Sequence, residues 1–260
     1  MEPEVSFVML NFHRRLKRIL GNKVKDIVIH GSAVNDSFVR GKGDIDFLVL
    51  LSQDVSDDEY DEITNYHRKS RLNKNLESQL EGSYIVLSKC CNNIDCGIYI
   101  GSTETRWKRF TGDRFSNLDK AYIRAINYSL YNEKYIEKLF DYSWEDVKSE
   151  IRANTEKTLA LLEKLPDFDF KLYALHTAVR GFYTYKTHTF VSKLQALEMM
   201  ENDLEFTAHH DFIRKIKVYK SMLNEAEKFE MNKLDLSRIN EIVMEIHKPY
   251  NSNRKIDERI

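Results

Sequence analysis

The hydrophobic positions of the first half of the chain follow two different spacings. Apolar residues recur every three to four positions from Val5 to Leu20, which predicts an amphipathic helix that Gly21 ends. Four short apolar runs predict β-strands at 24–30, 44–51, 83–87 and 94–100. The stretch 56–79 is dense in charged residues and predicts a long, mostly exposed helix between the second and third strands.

The second half of the chain carries helical spacing, and strand-like runs end at Ser116. Six segments predict helices: 117–140, 144–165, 170–188, 194–201, 210–228 and 234–247. Pro166 separates two of them, because proline lacks the N–H that a helix interior requires. The pattern predicts an α/β N-terminal lobe with a small mixed sheet over residues 1–110 and an all-helical C-terminal bundle over residues 111–260.

The charge balance excludes a strong electrostatic field of one sign over the whole protein, but it allows local charged patches. The 260 residues include 40 Lys and Arg against 41 Asp and Glu, a net charge of −1. A chain of this length buries a core without disulfides or structural metals. Since no excess of either sign is present, the balance argues against nucleic acid and membrane surfaces as partners.

The cysteines and the N-terminus predict a reducing compartment. Cys90, Cys91 and Cys96 are too few for a disulfide framework and do not form the CxxC pairs of a zinc site, so we expect them to be reduced. No apolar run approaches the ~20 residues that span a bilayer. The N-terminus opens with acidic residues rather than the basic region of a signal peptide, so a cytoplasmic location is the expectation.

The strongest chemical pattern is the segment IHGSAVNDSFVRGKGDIDFLVLL at 29–51. Residues two apart in a strand point to the same face, so Asp44 and Asp46 present two carboxylates side by side while Ile45 points into a core. Clustered carboxylates attract a hard divalent cation, and Mg²⁺ is usually held by one or two of them together with substrate phosphates. Two such ions can clamp the entering and leaving oxygens of a displacement at phosphorus.

Gly31 and Ser32 extend this interpretation. Glycine lets the backbone approach a phosphate closely, and the N–H groups of such a turn bind anions. The serine hydroxyl is able to donate a hydrogen bond to a terminal phosphate. A lone Gly-Ser turn or a lone DxD is a common surface feature, and the specificity comes from their joint arrangement on consecutive strands.

This arrangement resembles the DNA polymerase β-like nucleotidyltransferase superfamily, in which GS is followed after about ten residues by a DxD between hydrophobic residues. That resemblance implies a third carboxylate on a nearby strand, which acts as general base, metal ligand or both. Asp95, in the apolar run 94–100, is the candidate. The alternative is that Asp95 only caps the turn that precedes its strand.

Within that superfamily the chain is most similar to the streptomycin and spectinomycin (aminoglycoside) adenylyltransferases, on the segment HTAVRGFYTYKTHTFVSKLQALEMM at 176–200. The resemblance implies ATP as nucleotide donor, Mg²⁺ as cofactor, and Arg180 and Lys193 as groups that bind the triphosphate. Without the resemblance, the expectation is that Arg180 forms a salt bridge on a helix surface and that Lys193 is a solvated residue at a helix start. Phe182, Tyr183 and Tyr185 are either core residues or a surface on which a base stacks.

The resemblance also implies an acid that meets a cationic acceptor. Asp113 is the first candidate, and Asp167 and Asp169 are the others. The expected reaction moves AMP from ATP to a hydroxyl of an aminoglycoside or aminocyclitol and releases pyrophosphate. Two alternatives stay open: a protein or RNA acceptor, as in some toxin–antitoxin systems, or a catalytically silent nucleotide-binding module.

Overall fold

The computed structural model describes residues 2–35, 38, 43–73, 75–89, 93–131, 134–162, 164, 168–221 and 237–251. The chain divides into two compact units, Met1–Tyr142 and Ser143–Ile260. Among the described residues, no helix combines the length and the apolar character needed to cross a membrane.

The first unit is built on a six-stranded mixed sheet. The strands are β1 (Val24–His30), β2 (Ile45–Leu51), β3 (Leu80–Leu87), β4 (Ile94–Ile100), β5 (Lys108–Thr111) and β6 (Asn127–Ser129). Their order across the sheet is β5-β4-β3-β2-β1-β6, and only β2 and β3 run parallel. The α/β lobe with a small mixed sheet is confirmed.

Helices cover both faces of this sheet. On what we call the first face, α1 (Pro3–Leu20) packs against Ile27 and Phe47, and Ile63 of α2 (Asp57–Asn73) joins the same core. On the second face, residues of α3 (Asn117–Ala125) and α4 (Lys134–Leu139) pack against Val28 and Leu48. Because side chains alternate along a strand, odd-numbered positions of β2 point to the first face and even-numbered positions to the second.

The prediction of one helix over 117–140 is wrong, because the structure has two helices there, separated by β6. Three residues of β6 pair with β1, and the buried carboxylate of Asp26 anchors the end of β6. The Ser129 hydroxyl donates to Asp26 Oδ2 at 2.6 Å, and the Tyr131 N–H donates to Oδ1 at 3.1 Å. Since residues of 123–140 belong to the core of the second face, the division between the two units comes at 142–143 rather than at 110.

The second unit is helical over its described residues, as the sequence predicts. Its helices are α5 (Trp144–Leu162), α6 (Phe168–Thr187), α7 (Lys193–Asn202), α8 (His210–Ser221) and α9 (Ser237–Asn251). Phe182 and Tyr183 are buried, at 4% and 3% exposure, so they are core residues of the bundle rather than a surface for a base. Gly181 allows α5 and α6 to approach closely, because a Cβ there would lie 3.1 Å from Ile151.

A buried histidine lies at the centre of the first-face core. The ring of His67 is stacked on Phe47 at a centroid distance of 5.8 Å, and its Nε2 lies 2.9 Å from the hydroxyl of Tyr84. Burial lowers the pKa of His67 to about 3. The ring is therefore neutral in the folded protein at any pH at which the protein is handled.

We predict that His67 makes the protein less stable as the pH falls. The pKa of His67 is 6.5 in the reference state and about 3 in the folded protein. Between these two values the imidazole is protonated in the unfolded chain and neutral in the folded chain. The free energy of unfolding should fall by about 2 kcal/mol on this account between pH 7 and pH 5. Urea titrations at the two pH values should show that His67→Phe reduces the pH dependence by about this amount, while the part due to His30, whose pKa burial lowers to about 4, remains.

Tyr84→Phe is the matched control for that experiment. It also removes the hydrogen bond between the two side chains, but it leaves the buried imidazole in place. It should lower stability at both pH values and keep the pH dependence. If His67→Phe retained the full pH dependence, His67 would not be its source.

Candidate active site

Asp44 and Asp46 stand at the beginning of β2, as predicted. Asp46 is the second residue of the strand and is paired across the sheet with His30 of β1 and with Glu81 of β3. Paired residues of neighbouring strands project from the same face, so the side chains of His30, Asp46 and Glu81 share the second face. Burial lowers the pKa of His30 to about 4, so its imidazole is neutral beside the carboxylates at neutral pH.

The close approach of Gly31 to Asp46 explains the glycine after β1. Gly31 has a φ of +71°, in the left-handed region that favours glycine. A Cβ on Gly31 would lie 2.6 Å from Asp46 Oδ2, so a side chain there would displace the Asp46 carboxylate in addition to straining the backbone. Gly31 and Ser32 form a short 3₁₀ turn with Ala33, so the structure brings the GS pair and the DxD together. Residues 36, 37 and 39–42 of the connecting loop lie outside the described residues.

Glu81 is the residue that the sequence analysis missed. Strand β3 begins at Leu80, three positions before the predicted start, so Glu81 is inside the strand and directly beside Asp46. The Tyr99 hydroxyl donates a hydrogen bond to Glu81 Oε1, and burial together with this carboxylate raises the pKa of Tyr99 to about 12. The available signal was an acid between Leu80 and an apolar run, but Gly82 hid the true start of the strand, so the prediction began at Ser83.

Asp95 is not brought to this site. Its neighbour Cys96 pairs with Val86, which lies five positions beyond Glu81 on β3. At ~3.3 Å per residue this separates Asp95 from the paired acids by roughly 17 Å along the sheet. The surroundings of Asp95 agree with this distance, because its neighbour Cys96 is close to Asp54, which follows the opposite end of β2. Its backbone carbonyl accepts a hydrogen bond from Gly112 at 2.8 Å, and its side chain is exposed.

Arg71 supplies positive charge next to the acids. This residue of α2 donates to the carbonyl of Leu80 at 3.4 Å and to that of Gly101 at 2.6 Å, so it ties the ends of β3 and β4 together. Burial lowers the pKa of Arg71, and the nearby Glu81 and Asp44 act in the opposite direction. Part of the negative charge is therefore balanced before any ligand binds.

Arg180 and Lys193 both lie in the second unit. Arg180 is half-buried on α6, seven residues after Tyr173, so the two residues share a face of that helix. Lys193 is the first residue of α7, whose start is capped by Ser192 and Gln195, and its Nζ lies 5.0 Å from the ring centre of Tyr173. The two cations therefore lie on the same side of the bundle. Their predicted contact with a triphosphate stays a prediction.

The predicted acceptor-binding acids have different surroundings. Asp113 is bonded within its own unit: its Oδ2 lies 2.7 Å from Lys120 Nζ, and its Oδ1 accepts the N–H of Phe115 at 2.9 Å. Asp169 belongs to α6, and Asp167 lies outside the described residues. Of the three cysteines, Cys96 is a free thiol, while Cys90 and Cys91 also lie outside the described residues.

The donor set fits Mg²⁺ only together with a ligand. Among the described residues, no three His, Cys, Asp or Glu side chains are close enough to hold a metal ion by themselves. Carboxylate oxygens are nonetheless the ligands that Mg²⁺ prefers, and the ion usually completes its shell with water and substrate phosphates. Asp44 and Asp46 are thus the residues that would hold such an ion beside a nucleotide.

Comparisons with known proteins agree with this fold. Residues 11–89 match the nucleotidyltransferase domain family. The fold is similar to that of a spectinomycin adenyltransferase from Enterococcus faecialis, whose crystal structure contains ATP and spectinomycin. The identity is 16% over 92% of this chain and 99% of that chain, with a TM-score of 0.62. No curated protein matches the sequence. The predicted relation to nucleotidyltransferases and the predicted fold class are confirmed.

We predict that Glu81→Gln lowers the turnover of nucleotidyl transfer by at least about a hundredfold, the usual contribution of a general base. The amide keeps the size of the side chain and its hydrogen bond with Tyr99, so the fold should be unchanged. Asp95→Asn is the matched control and should keep near-wild-type turnover, because it lies at the other end of the sheet. Pyrophosphate release measures both variants, and the opposite result would reinstate Asp95.

Proposed function

We propose that the chain moves AMP from Mg²⁺–ATP to a hydroxyl of an aminoglycoside or aminocyclitol. The premise is that residues 11–89 form a nucleotidyltransferase domain. The single observation that carries this proposal is the placement of Asp46 beside Glu81 on the parallel pair β2–β3, with Gly31 against the Asp46 carboxylate. A reaction at phosphorus needs carboxylates that hold a metal ion and one that accepts a proton, and this edge of the sheet supplies both.

Glu81 is the proposed general base. It would accept the proton of the acceptor hydroxyl as that oxygen bonds to the α-phosphorus, and the bond from the α-phosphorus to the bridging oxygen would break to release pyrophosphate. The Tyr99 hydroxyl, which donates to Oε1, fixes the orientation of the carboxylate and leaves Oε2 for the acceptor. Most of the rate should come from such positioning.

Charge neutralisation is the second contribution. Asp44 and Asp46 would hold Mg²⁺, which neutralises phosphate charge and stabilises the leaving oxygen. The backbone at Gly31 and Ser32 would approach the phosphates closely, since Gly31 carries no side chain. Arg180 and Lys193 would bind phosphate oxygens that the metal leaves exposed, because charge-assisted hydrogen bonds to phosphate are the strong ones.

The acceptor class follows from charge and from fold similarity. Aminoglycosides and aminocyclitols carry amines that are cationic at neutral pH, and Asp44, Asp46 and Glu81 form an acidic wall that attracts them. The similar Enterococcus protein is a spectinomycin adenyltransferase. Asp169 is a candidate for a further acidic contact, whereas the bonds of Asp113 to Lys120 and Phe115 make it the weaker candidate.

The decisive experiment incubates the purified chain with ATP, Mg²⁺ and either spectinomycin, streptomycin or another aminoglycoside. Pyrophosphate release and the mass of the drug are the measurements, and Asp46→Asn is the inactive control. We expect drug-dependent release, a gain of one AMP by the drug, and a Michaelis constant for the drug that rises with salt as the attraction is screened. Turnover on a protein or RNA with none on any drug would disprove the acceptor assignment.

We predict that Arg180→Ala and Lys193→Ala each raise the Michaelis constant for ATP about tenfold or more. Each variant loses a charge-assisted phosphate contact of about 1.5–3 kcal/mol. Lys186→Ala is the matched control on α6, because the Lys186 ammonium is held by Asp203 at 3.0 Å. An unchanged constant in both test variants would place the triphosphate away from this side of the bundle.

A further inference from the structure

A basic cleft lies between α1 and α2. Its volume is about 460 Å³, which is in the range of small-molecule sites. We call it the α1–α2 cleft, and it is lined by Asn11, Arg14, Arg15, Arg18, Tyr66, Lys69, Ser70, Asn73 and Glu77. The lining comes from successive turns of both helices, so the helix spacing places four cations around one depression.

The four cations of the cleft lack acidic partners in the part of the chain that the structure describes. None of Arg14, Arg15, Arg18 and Lys69 makes an ion pair there, although other basic residues of the same unit do. The Nε of Arg15 is buried and has no hydrogen-bond partner among the same described residues. The cleft thus holds several donors and a net positive charge, with Glu77 as the one acid of its lining.

Local helix electrostatics accounts for only part of this arrangement. A basic residue in the last turn of a helix is favoured by the macrodipole, which explains Arg18 at the end of α1. It does not explain Arg14 and Arg15 in the preceding turn, nor Lys69 on α2. Like charges at i, i+4, such as Arg14 and Arg18, destabilise a helix. Four cations around one concavity therefore cost stability that a bound anion would restore.

We propose that the α1–α2 cleft is a binding site for a small phosphate-bearing anion. Arginine guanidinium groups recognise phosphate oxygens in a bidentate manner, and Lys69 adds a point charge. The side chains of Asn11, Ser70 and Asn73 add neutral hydrogen-bonding groups. The volume exceeds what a lone phosphate needs, so the cleft is suited to pyrophosphate or to the phosphate end of a nucleotide.

This site is distinct from the carboxylate site. Helices α1 and α2 cover the first face of the sheet, whereas Asp46 and Glu81 project from the second face. The sheet itself separates the two, so an anion in the cleft does not occupy the catalytic position. The proposal uses only charge and shape in the first unit, and it stands or falls independently of the transfer reaction.

Calorimetric titration of the full chain with sodium pyrophosphate, at low ionic strength and with a chelator in place of Mg²⁺, tests the proposal. We expect saturable binding that Arg15→Gln combined with Arg18→Gln weakens about tenfold or more. Lys17→Gln is the matched control: Lys17 belongs to the same helix but lies outside the cleft, 5.6 Å from the ring centre of Tyr131. It should change the dissociation constant much less than the double variant does, because its ammonium lies beside Tyr131 and is not part of the cleft lining.

Further measurements separate the possible outcomes. Inorganic phosphate and ATP in parallel titrations show whether one phosphate suffices or a nucleotide is preferred. Without anion, the double variant should melt no lower than the wild type, because it loses repelling charges, and this excludes misfolding. It should also keep the wild-type Michaelis constant for Mg²⁺–ATP, which excludes the carboxylate site. Absence of pyrophosphate binding, an equal loss in Lys17→Gln, or binding of short single-stranded RNA without binding of pyrophosphate would each overturn the proposal.

Discussion

The mutual repulsion of acids on one edge of the sheet is the constraint on which the rest of the first unit depends. Asp46 and Glu81 are direct neighbours on parallel strands, and Asp44 precedes them by one pleat. Nothing in their own interaction holds them together, so the strands must do so. The parallel β2–β3 pair is held by a continuous apolar core on the first face. Arg71 ties the start of β3 to the end of β4 through the carbonyls of Leu80 and Gly101.

This constraint requires one particular pairing register of β2 with its neighbouring strands. A shift of β2 by one residue would turn Asp46 toward the aromatic core around His67 and bring Phe47 to the acidic edge. The stacking of Phe47 on His67 and the hydrogen bond between His67 and Tyr84 oppose such a shift. The first-face core therefore determines more than stability, because it decides which face each carboxylate occupies. The left-handed Gly31 completes the arrangement by leaving room for the Asp46 carboxylate.

The parts of this site that depend on local spacing were predictable, and the parts that depend on strand direction were not. Gly31, Ser32, Asp44 and Asp46 lie within sixteen residues, and alternation alone predicts their common edge. The third acid depends on whether β3 or β4 begins at that edge. Since β3 runs parallel to β2 and β4 runs antiparallel to β3, the acid at the start of β3 is adjacent, whereas the acid at the start of β4 is distant. Periodicity identifies a strand but carries no information on its direction.

A net charge of −1 also conceals a separation of charge between the two sides of one sheet. Acids collect on the second face at Asp44, Asp46 and Glu81, and the cations of the α1–α2 cleft collect outside the helices that cover the first face. Because fields between exposed groups are screened within ~10 Å in ordinary salt, each side presents its own field to a ligand. An acidic edge attracts metal ions and cationic acceptors, and the α1–α2 cleft attracts anions. The two proposed ligands, a metal ion at the acidic edge and an anion in the cleft, therefore would not compete for one position, and total composition alone does not indicate this separation.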